Sequence, residues 1–237
     1  MSTGTLVLAG LVVAVGAVVQ GSVGFGMNLV AAPLLALLDP SLVPVPILLA
    51  STVPAGLSLL REHAHADWVG VGWAMLGRLP GTVLGVLAVA VLPLRGLTVV
   101  VALSVLACVG LSVISWRPRP EPRALATAGV VSGAFGTAAS IGGPPVALLY
   151  QHSAGPTVRA TMGAYFVLGS VLSVVGLSMA GEVATDDLRA AALLVPFLLV
   201  GFVLSRGTRR WLDGPWLRPA VLAVSAGGAL LLIVRAL

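Results

Sequence analysis

Long apolar segments fill most of this chain, and short polar stretches separate them. Six of the segments approach the ~20 residues that a helix needs to cross a bilayer, so we expect six spanning helices. They cover residues 44–60, 69–92, 96–115, 158–180, 188–205 and 219–235. Two further apolar stretches, residues 4–38 and 124–150, are interrupted, and each is predicted to form two short helical arms.

The two interruptions share a sequence pattern at a constant distance. Gly21 and Pro33 bound the first, and Gly133 and Pro145 bound the second, with an offset of 112 residues in both cases (133 − 21 and 145 − 33). Proline resists a continuous helix, and glycine permits turns that other residues resist. Non-helical backbone at membrane depth is tolerated only where protein buries it or water lines it. Matching breaks in two related halves therefore favour a transporter binding site.

The composition indicates that nearly the whole chain lies in a bilayer. It is 58% hydrophobic and 9% charged, whereas a soluble domain carries about 25% charged residues. We predict an all-α polytopic membrane protein with two inverted repeats, each a broken or re-entrant helical hairpin followed by three transmembrane helices. The repeats cover residues 1–116 and 124–237, and a basic, proline-alternating cytoplasmic linker joins them at 117–123.

The placement of arginine predicts the orientation in the membrane. If each interrupted stretch returns to its own side, nine arginines share one face and three the other; if each crosses once, the split is six and six. The positive-inside rule favours the first arrangement. The cytoplasmic face then holds Arg61, Arg117, Arg119, Arg123, Arg159, Arg206, Arg209, Arg210 and Arg218, and the outer face holds Arg95, Arg189 and Arg235. Both termini are expected outside, and charge does not separate re-entrant hairpins from double crossings.

Small polar residues and glycines in the two interruptions are the first candidates for a binding site. Free backbone amides at helix N-termini bind anions without a buried cation, and neutral side-chain donors add to them. The candidates are Gln20, Ser22, Gly24, Gly26, Asn28, Ser132, Gly136, Thr137, Ser140, Gly142 and Gly143. The alternative is that the glycines only let helices pack closely.

Two arginines complete the predicted site. Arg78 lies within an apolar run, where a charge is costly and indicates function, although snorkelling to the interface is the alternative. Arg159 begins a span, where it attracts anions to the cytoplasmic mouth or serves only as a positive-inside anchor. His63 and His65 have no obvious third ligand, so neither a metal nor another cofactor is expected.

The chain resembles the TauE/SafE sulfite-exporter family, also called TSUP, over nearly its whole length. The matching residues are Gly21 to Pro33 with the leucines that follow, Ser51-Thr52, Arg61 to Trp68, Gly142 to Pro145, and Arg159 to Thr161. The first motif departs from the glycine-richest form at Phe25, Met27 and Asn28. The resemblance implies transport of sulfite, thiosulfate, sulfonates or other organic anions.

The residues and the resemblance together predict a secondary transporter of the bacterial inner membrane rather than an enzyme. Its expected partners are a small anionic substrate and the lipid bilayer, without nucleic acid, and a homo-oligomer is left open. An anion channel on the same architecture and a membrane partner protein without transport activity are the alternatives. The exact anion, the direction of transport and the coupling ion do not follow from the sequence.

Overall fold

The computed structural model describes residues 3–113, 119–212 and 217–236, without the side chains of residues 206, 208–212, 217 and 218. The described part of the first half forms α1 (Thr3–Val23), α2 (Met27–Leu38), α3 (Val45–Glu62), α4 (Trp68–Val91) and α5 (Leu94–Val113). The second half forms α6 (Pro122–Ala139), α7 (Gly143–Ala147), α8 (Gly155–Met179), α9 (Thr185–Leu212) and α10 (Leu217–Ala236). Short 3₁₀ turns follow α2, α3 and α7.

Seven of the described helices are long and apolar enough to span a bilayer: α1, α3, α4, α5, α8, α9 and α10. The predicted class, an all-α polytopic membrane protein, is confirmed, and all six predicted spans are among the seven. The predicted boundary between residues 116 and 117 lies outside the described part of the chain.

The entering arm of each interrupted stretch is longer than predicted, and in the first stretch it is long enough to span a bilayer. The entering helices α1 and α6 have 21 and 18 residues, whereas the returning helices α2 and α7 have 12 and 5. Helix α1 continues through Gly21 because that glycine packs against Ser205 of α9, where an added methyl group would overlap the serine side chain. Close packing thus offsets the low helix propensity of glycine.

The two halves interlock by exchanging partners. Helix α1 packs mainly on α9 of the other half, and α6 packs mainly on α4, while α3 meets α8 and α5 meets α10. These helix pairings are the ones expected if a twofold axis relates the two halves. The inverted orientation of the two halves in the membrane stays a prediction. The breaks of both interrupted stretches therefore lie between the two halves.

Glycines form the closest helix contact, between α4 and α6. A methyl group added at Gly81 of α4 would overlap the carbonyl oxygen of Val130, and one at Gly129 of α6 would overlap that of Ala74. The matching contact between α1 and α9 has Gly201 against the carbonyl of Ala14. At these positions the close-packing alternative explains the glycine, because only hydrogen fits between the two backbones.

Contacts between loops agree with the predicted sides of the membrane. Arg159 pairs with Glu62, and both belong to the predicted cytoplasmic face. At the opposite end, Arg235 donates a hydrogen bond to the carbonyl oxygen of Leu37 at the end of α2. Segments that were assigned to the same face therefore meet, and the assignment of that face to the cytoplasm stays a prediction.

A cysteine at Pro120 is expected to be protected from an impermeant thiol label in intact cells and labelled after permeabilisation. The protein needs a Cys108→Ser background, because Cys108 is its single cysteine. A cysteine at Ala184, between α8 and α9, is the matched control and is expected to be labelled from outside. Labelling of Pro120→Cys in intact cells would reverse the predicted orientation.

Candidate functional site

The breaks of the two interrupted stretches meet around one cavity of about 30 Å³ in the interior of the protein. Eight of the thirteen predicted site residues line it: Gln20, Gly26, Asn28, Arg78, Gly136, Ser140, Gly142 and Gly143. Leu29 and Leu48 supply apolar wall, and Ser51 of α3 and Ser170 of α8 add hydroxyl groups. Residues of both breaks thus line one cavity, and its use as a binding site stays a prediction.

Asn28 and Ser140 hold the two breaks together. The Nδ2 of Asn28 donates to the backbone carbonyl of Ser140 at 2.8 Å and lies 3.4 Å from the Oγ of Ser51. Asn28 and Ser140 are also equivalent positions, since they are 112 residues apart (140 − 28). In turn, the Oγ of Ser140 donates to the carbonyl oxygen of Pro44 at 2.7 Å, which ties the second break to the start of α3.

The first break ends at a helix N-terminus that faces the cavity. Gly26 has φ +102° and Gly24 has φ +97°, a left-handed conformation that glycine adopts without steric cost. Helix α2 begins at Met27 without a side-chain cap. Its first-turn amides therefore lack helical acceptors and give this end a partial positive charge.

Arg78 supplies a full positive charge to the cavity. It lies ten residues after Trp68, about 15 Å along the 24-residue helix α4 and therefore near its middle, and it is 2% exposed. One nitrogen, Nη2, is 3.4 Å from the Oγ of Ser173, and the guanidinium lies 4.9 Å from the ring centroid of Tyr165. The Nε and Nη1 atoms are buried without a hydrogen-bond partner. Two buried donors without acceptors are costly, so a group that accepted hydrogen bonds from them would stabilise this arrangement.

Two glycines make room for the Arg78 side chain. A methyl group at Gly136 of α6 would lie 2.9 Å from Nη2, and a methyl group at Gly169 of α8 would overlap the guanidinium itself. The guanidinium therefore occupies a narrow space between α6 and α8. Packing by these two helices restricts the conformations of the Arg78 side chain, which would otherwise be flexible.

Ser132 and Thr137 support the cavity and do not line it. The hydroxyl of Tyr165 donates to the Oγ of Ser132 at 2.7 Å, and Ser132 donates to the carbonyl oxygen of Gly142. Thr137 shares a 2.8 Å hydrogen bond with Ser173, the same serine that Arg78 contacts. Both predicted residues thus position the second break and the guanidinium instead of facing a ligand.

Three predicted residues lie away from this cavity. Ser22 donates within its own helix, to the carbonyl oxygen of Val18 at 2.9 Å. Gly24 packs against Arg159, where an added methyl group would lie 2.9 Å from the arginine Cγ. Arg159 lines a second cavity of about 240 Å³ at the predicted cytoplasmic end, together with Gly21, Ser58, Arg61, Glu62, Phe202 and Ser205.

The charge of Arg159 is balanced by Glu62. Its Nε and Nη2 atoms donate to the two carboxylate oxygens at 2.8 and 2.6 Å, and the two side chains are 12% and 23% exposed. Nearby, Tyr150 donates to Asp67 at 2.8 Å. Burial, and then the hydrogen bond and charge of Asp67, raise the pKa of Tyr150 above its usual range, so the phenol remains a donor. Both contacts join the first half to the second.

Arg159→Gln and Glu62→Gln are expected to destabilise the protein by similar amounts, about 1–2 kcal/mol, because each leaves its partner without a counter-charge. The double variant is expected to cost less than the sum of the two. Thermal unfolding of the three purified variants measures this. If Arg159 instead recruits anions, Glu62→Gln should increase uptake at low substrate concentration and Arg159→Gln should decrease it.

Sequence reasoning missed the contribution of α8. Phe166 and Ser170 line the cavity, Gly169 makes room for Arg78, and Ser173 contacts the guanidinium. These residues recur at spacings of three and four, so they share one face of the helix. The signal was a stripe of small polar residues within an apolar span.

The fold and the cavity define a polytopic α-helical membrane protein with a buried cationic site between two broken hairpins. The family described as sulfite exporter TauE/SafE matches residues 8–232 of the chain. The chain belongs to this family, which is a family of membrane transporters. Neither a curated protein nor a solved structure matches it.

Proposed function

We propose that the protein is a secondary transporter that carries a small sulfur-containing anion, of the sulfite class, across the bacterial inner membrane. The observation that carries the proposal is Arg78, a buried cation that lines the central cavity with two unpartnered donors. An ionisable residue at such depth marks a substrate pathway by default. The match to the sulfite exporter TauE/SafE family supports the choice of sulfur chemistry.

The polar groups around the cavity suit an oxyanion. The guanidinium is a planar fork whose donors match two oxygens of one ligand. The uncapped N-terminus of α2, the hydroxyls of Ser51 and Ser170 and the amide of Gln20 surround the same space. None of the described lining residues is a carboxylate, so nothing there competes with an anion for the guanidinium.

The size of the cavity favours the small members of the substrate class. A volume of about 30 Å³ holds roughly two water-sized groups. Sulfite, with four non-hydrogen atoms, already requires a small expansion of this cavity, and an organosulfonate with a longer chain needs much more space. Gly142 and Gly143 of the second break form part of the wall, with Phe166 behind Gly143. A larger anion therefore requires that this wall move.

Transport requires that the site open to each side in turn. On one side, Asn28, Ser140 and Pro44 link the two breaks to the start of α3. Toward the predicted cytoplasmic end, the segment that contains Gly24 separates the central cavity from the second one, beside Arg159. We propose that these two sets of contacts between the halves break and form alternately while the anion occupies the central site.

Binding of sulfite to the purified protein tests the proposed site. Sulfite is expected to raise the melting temperature most, thiosulfate less, and a long-chain sulfonate least, because only a ligand of the folded state stabilises it. At 100 times its Kd, a ligand contributes about 2.7 kcal/mol. A long-chain sulfonate that stabilises more than sulfite would contradict the size argument. The absence of stabilisation by every anion would contradict the proposed function.

A further inference from the structure

We infer that the central site selects its ligand by charge and binds the singly charged anion, hydrogensulfite, in preference to doubly charged sulfite. The inference rests on the proposed function and adds the charge state of the substrate. It follows from the charges around the cavity and from one buried acceptor, the Oδ1 of Asn28, which has no hydrogen-bond partner.

The described lining of the cavity contains one charged side chain, Arg78. Helix α8 presents Tyr165 to the guanidinium, and α6 presents Ser132 and Thr137 nearby, all of them neutral as hydrogen-bonded hydroxyls. From α5, the Sγ of Cys108 lies 4.0 Å from the carbonyl oxygen of Ile141, another lining residue. The first half adds the neutral side chains of Gln20, Asn28 and Ser51.

The remaining titratable groups of this region lie at the predicted cytoplasmic end. Glu62 is paired with Arg159, and Asp67 accepts from Tyr150. His63, His65 and His152 are exposed and none of them lines the cavity. One positive charge therefore faces the ligand, and the three histidines are outside the site.

This charge balance favours a monovalent anion. A single negative charge neutralises Arg78, whereas a second one remains uncompensated in a buried space. Charges that lack a counter-charge in a low-dielectric interior carry a large desolvation cost, and water outside stabilises a dianion more than a monoanion. The unpartnered Nη1 and the neighbouring Nη2 form the end of the guanidinium fork, which can donate to two oxygens of one ligand.

Asn28 adds a group that suits a protonated ligand. Its Nδ2 donates to the carbonyl of Ser140, which fixes the amide orientation and leaves Oδ1 as an acceptor. Sulfite without its proton offers only oxygen lone pairs, which an acceptor cannot bind. Hydrogensulfite in its hydroxyl form offers two oxygens to the guanidinium and one O–H to an acceptor. Both Arg78 and Asn28 line the same cavity.

The test is the Kd of total sulfite, measured by calorimetry on the purified full-length protein between pH 5.5 and 8.5. Because hydrogensulfite loses its proton near neutral pH, the Kd is expected to rise about tenfold for each pH unit above the ligand pKa. Chlorate is pyramidal like sulfite and stays monovalent throughout, so its Kd is expected to be constant. Sulfate, a dianion over the whole range, is expected to bind more weakly than sulfite does at pH 5.5.

A sulfite Kd that is constant or falls with rising pH would overturn the inference and leave the proposed function intact. Sulfate binding as tight as that of sulfite at pH 5.5 would do the same, and so would a chlorate Kd that rises as steeply as that of sulfite. Failure of all three anions to bind at any pH would overturn the proposed function as well.

Discussion

Arg78→Met is expected to weaken sulfite binding strongly without lowering the stability of the ligand-free protein. The guanidinium is buried, has no carboxylate partner and leaves two donors unsatisfied. Removing a ligand's buried counter-charge typically costs 2–5 kcal/mol, so binding should weaken by roughly 100-fold. The unliganded protein should gain up to ~1 kcal/mol, since an apolar side chain of similar length replaces an uncompensated buried charge.

Unfolding and sulfite affinity measured on the same Arg78→Met sample decide between two roles of this arginine. Arg95→Met is the matched control, because Arg95 is exposed at the start of α5, and both properties should stay at wild-type values there. A structural role predicts that Arg78→Met unfolds more easily while the remaining folded protein binds sulfite normally. That result would remove Arg78 from the site.

Gly169→Ala is expected to weaken ligand binding, whereas Gly81→Ala is expected to lower the stability of the fold. A methyl group at Gly169 meets the end of the Arg78 side chain first, so it should displace that side chain and weaken binding by at least about tenfold. A methyl group at Gly81 meets the backbone carbonyl of Val130, so it should force α4 and α6 apart at a cost of about 1–3 kcal/mol. Melting temperature and sulfite affinity separate the two effects.

Gly72→Ala is the control for both variants, since nothing lies within 4 Å of an added methyl group there. It should bind normally and be slightly more stable, because alanine is the better helix former. Gly24 and Gly26 are unsuitable for this comparison, because their left-handed backbone strains any larger residue regardless of the ligand. Normal affinity in Gly169→Ala would show that the guanidinium need not occupy this space.

The parts of the site that depend on repetition could be predicted from the sequence. The constant offset of 112 residues makes Asn28 and Ser140 equivalent, and in the structure they form a hydrogen bond between the two breaks. The position of Arg78 in an apolar run left two predictions, a functional charge within the membrane or a side chain that snorkels to the interface, and in the structure it is 2% exposed. Both predictions used only the spacing of unusual residues along otherwise apolar helices.

Other features depend on which helices meet, and the sequence did not specify these pairs. Arg159 was predicted to attract anions or to serve only as a positive-inside anchor, and neither prediction included the residue that neutralises it, Glu62, 97 residues away. Gly21 and Gly133 were read as the starts of the breaks, although the helices continue through them because a facing helix fills the space. Ser173 was missed for the same reason, since its role arises only where α8 packs against α4.

In the proposed alternating-access mechanism, the contacts between the halves act as two gates around one binding site. Its inner contact, between Arg159 and Glu62, and its outer contact, between Ser140 and Pro44, both link a break or its flank to α3. Helix α3 therefore touches both ends of the proposed pathway. A channel would conduct with both gates open at once, whereas a transporter needs one of them closed.

Exchange of radiolabelled sulfite in proteoliposomes tests the central claim most directly. Vesicles that contain the purified protein and unlabelled internal sulfite should accumulate label with saturable kinetics, and vesicles with Arg78→Met should match empty vesicles. Arg95→Met should transport like the wild type. Uptake by Arg78→Met at the wild-type rate would contradict the assignment of the site, and the absence of uptake by the wild-type protein, in exchange and under an imposed gradient alike, would contradict sulfite transport itself.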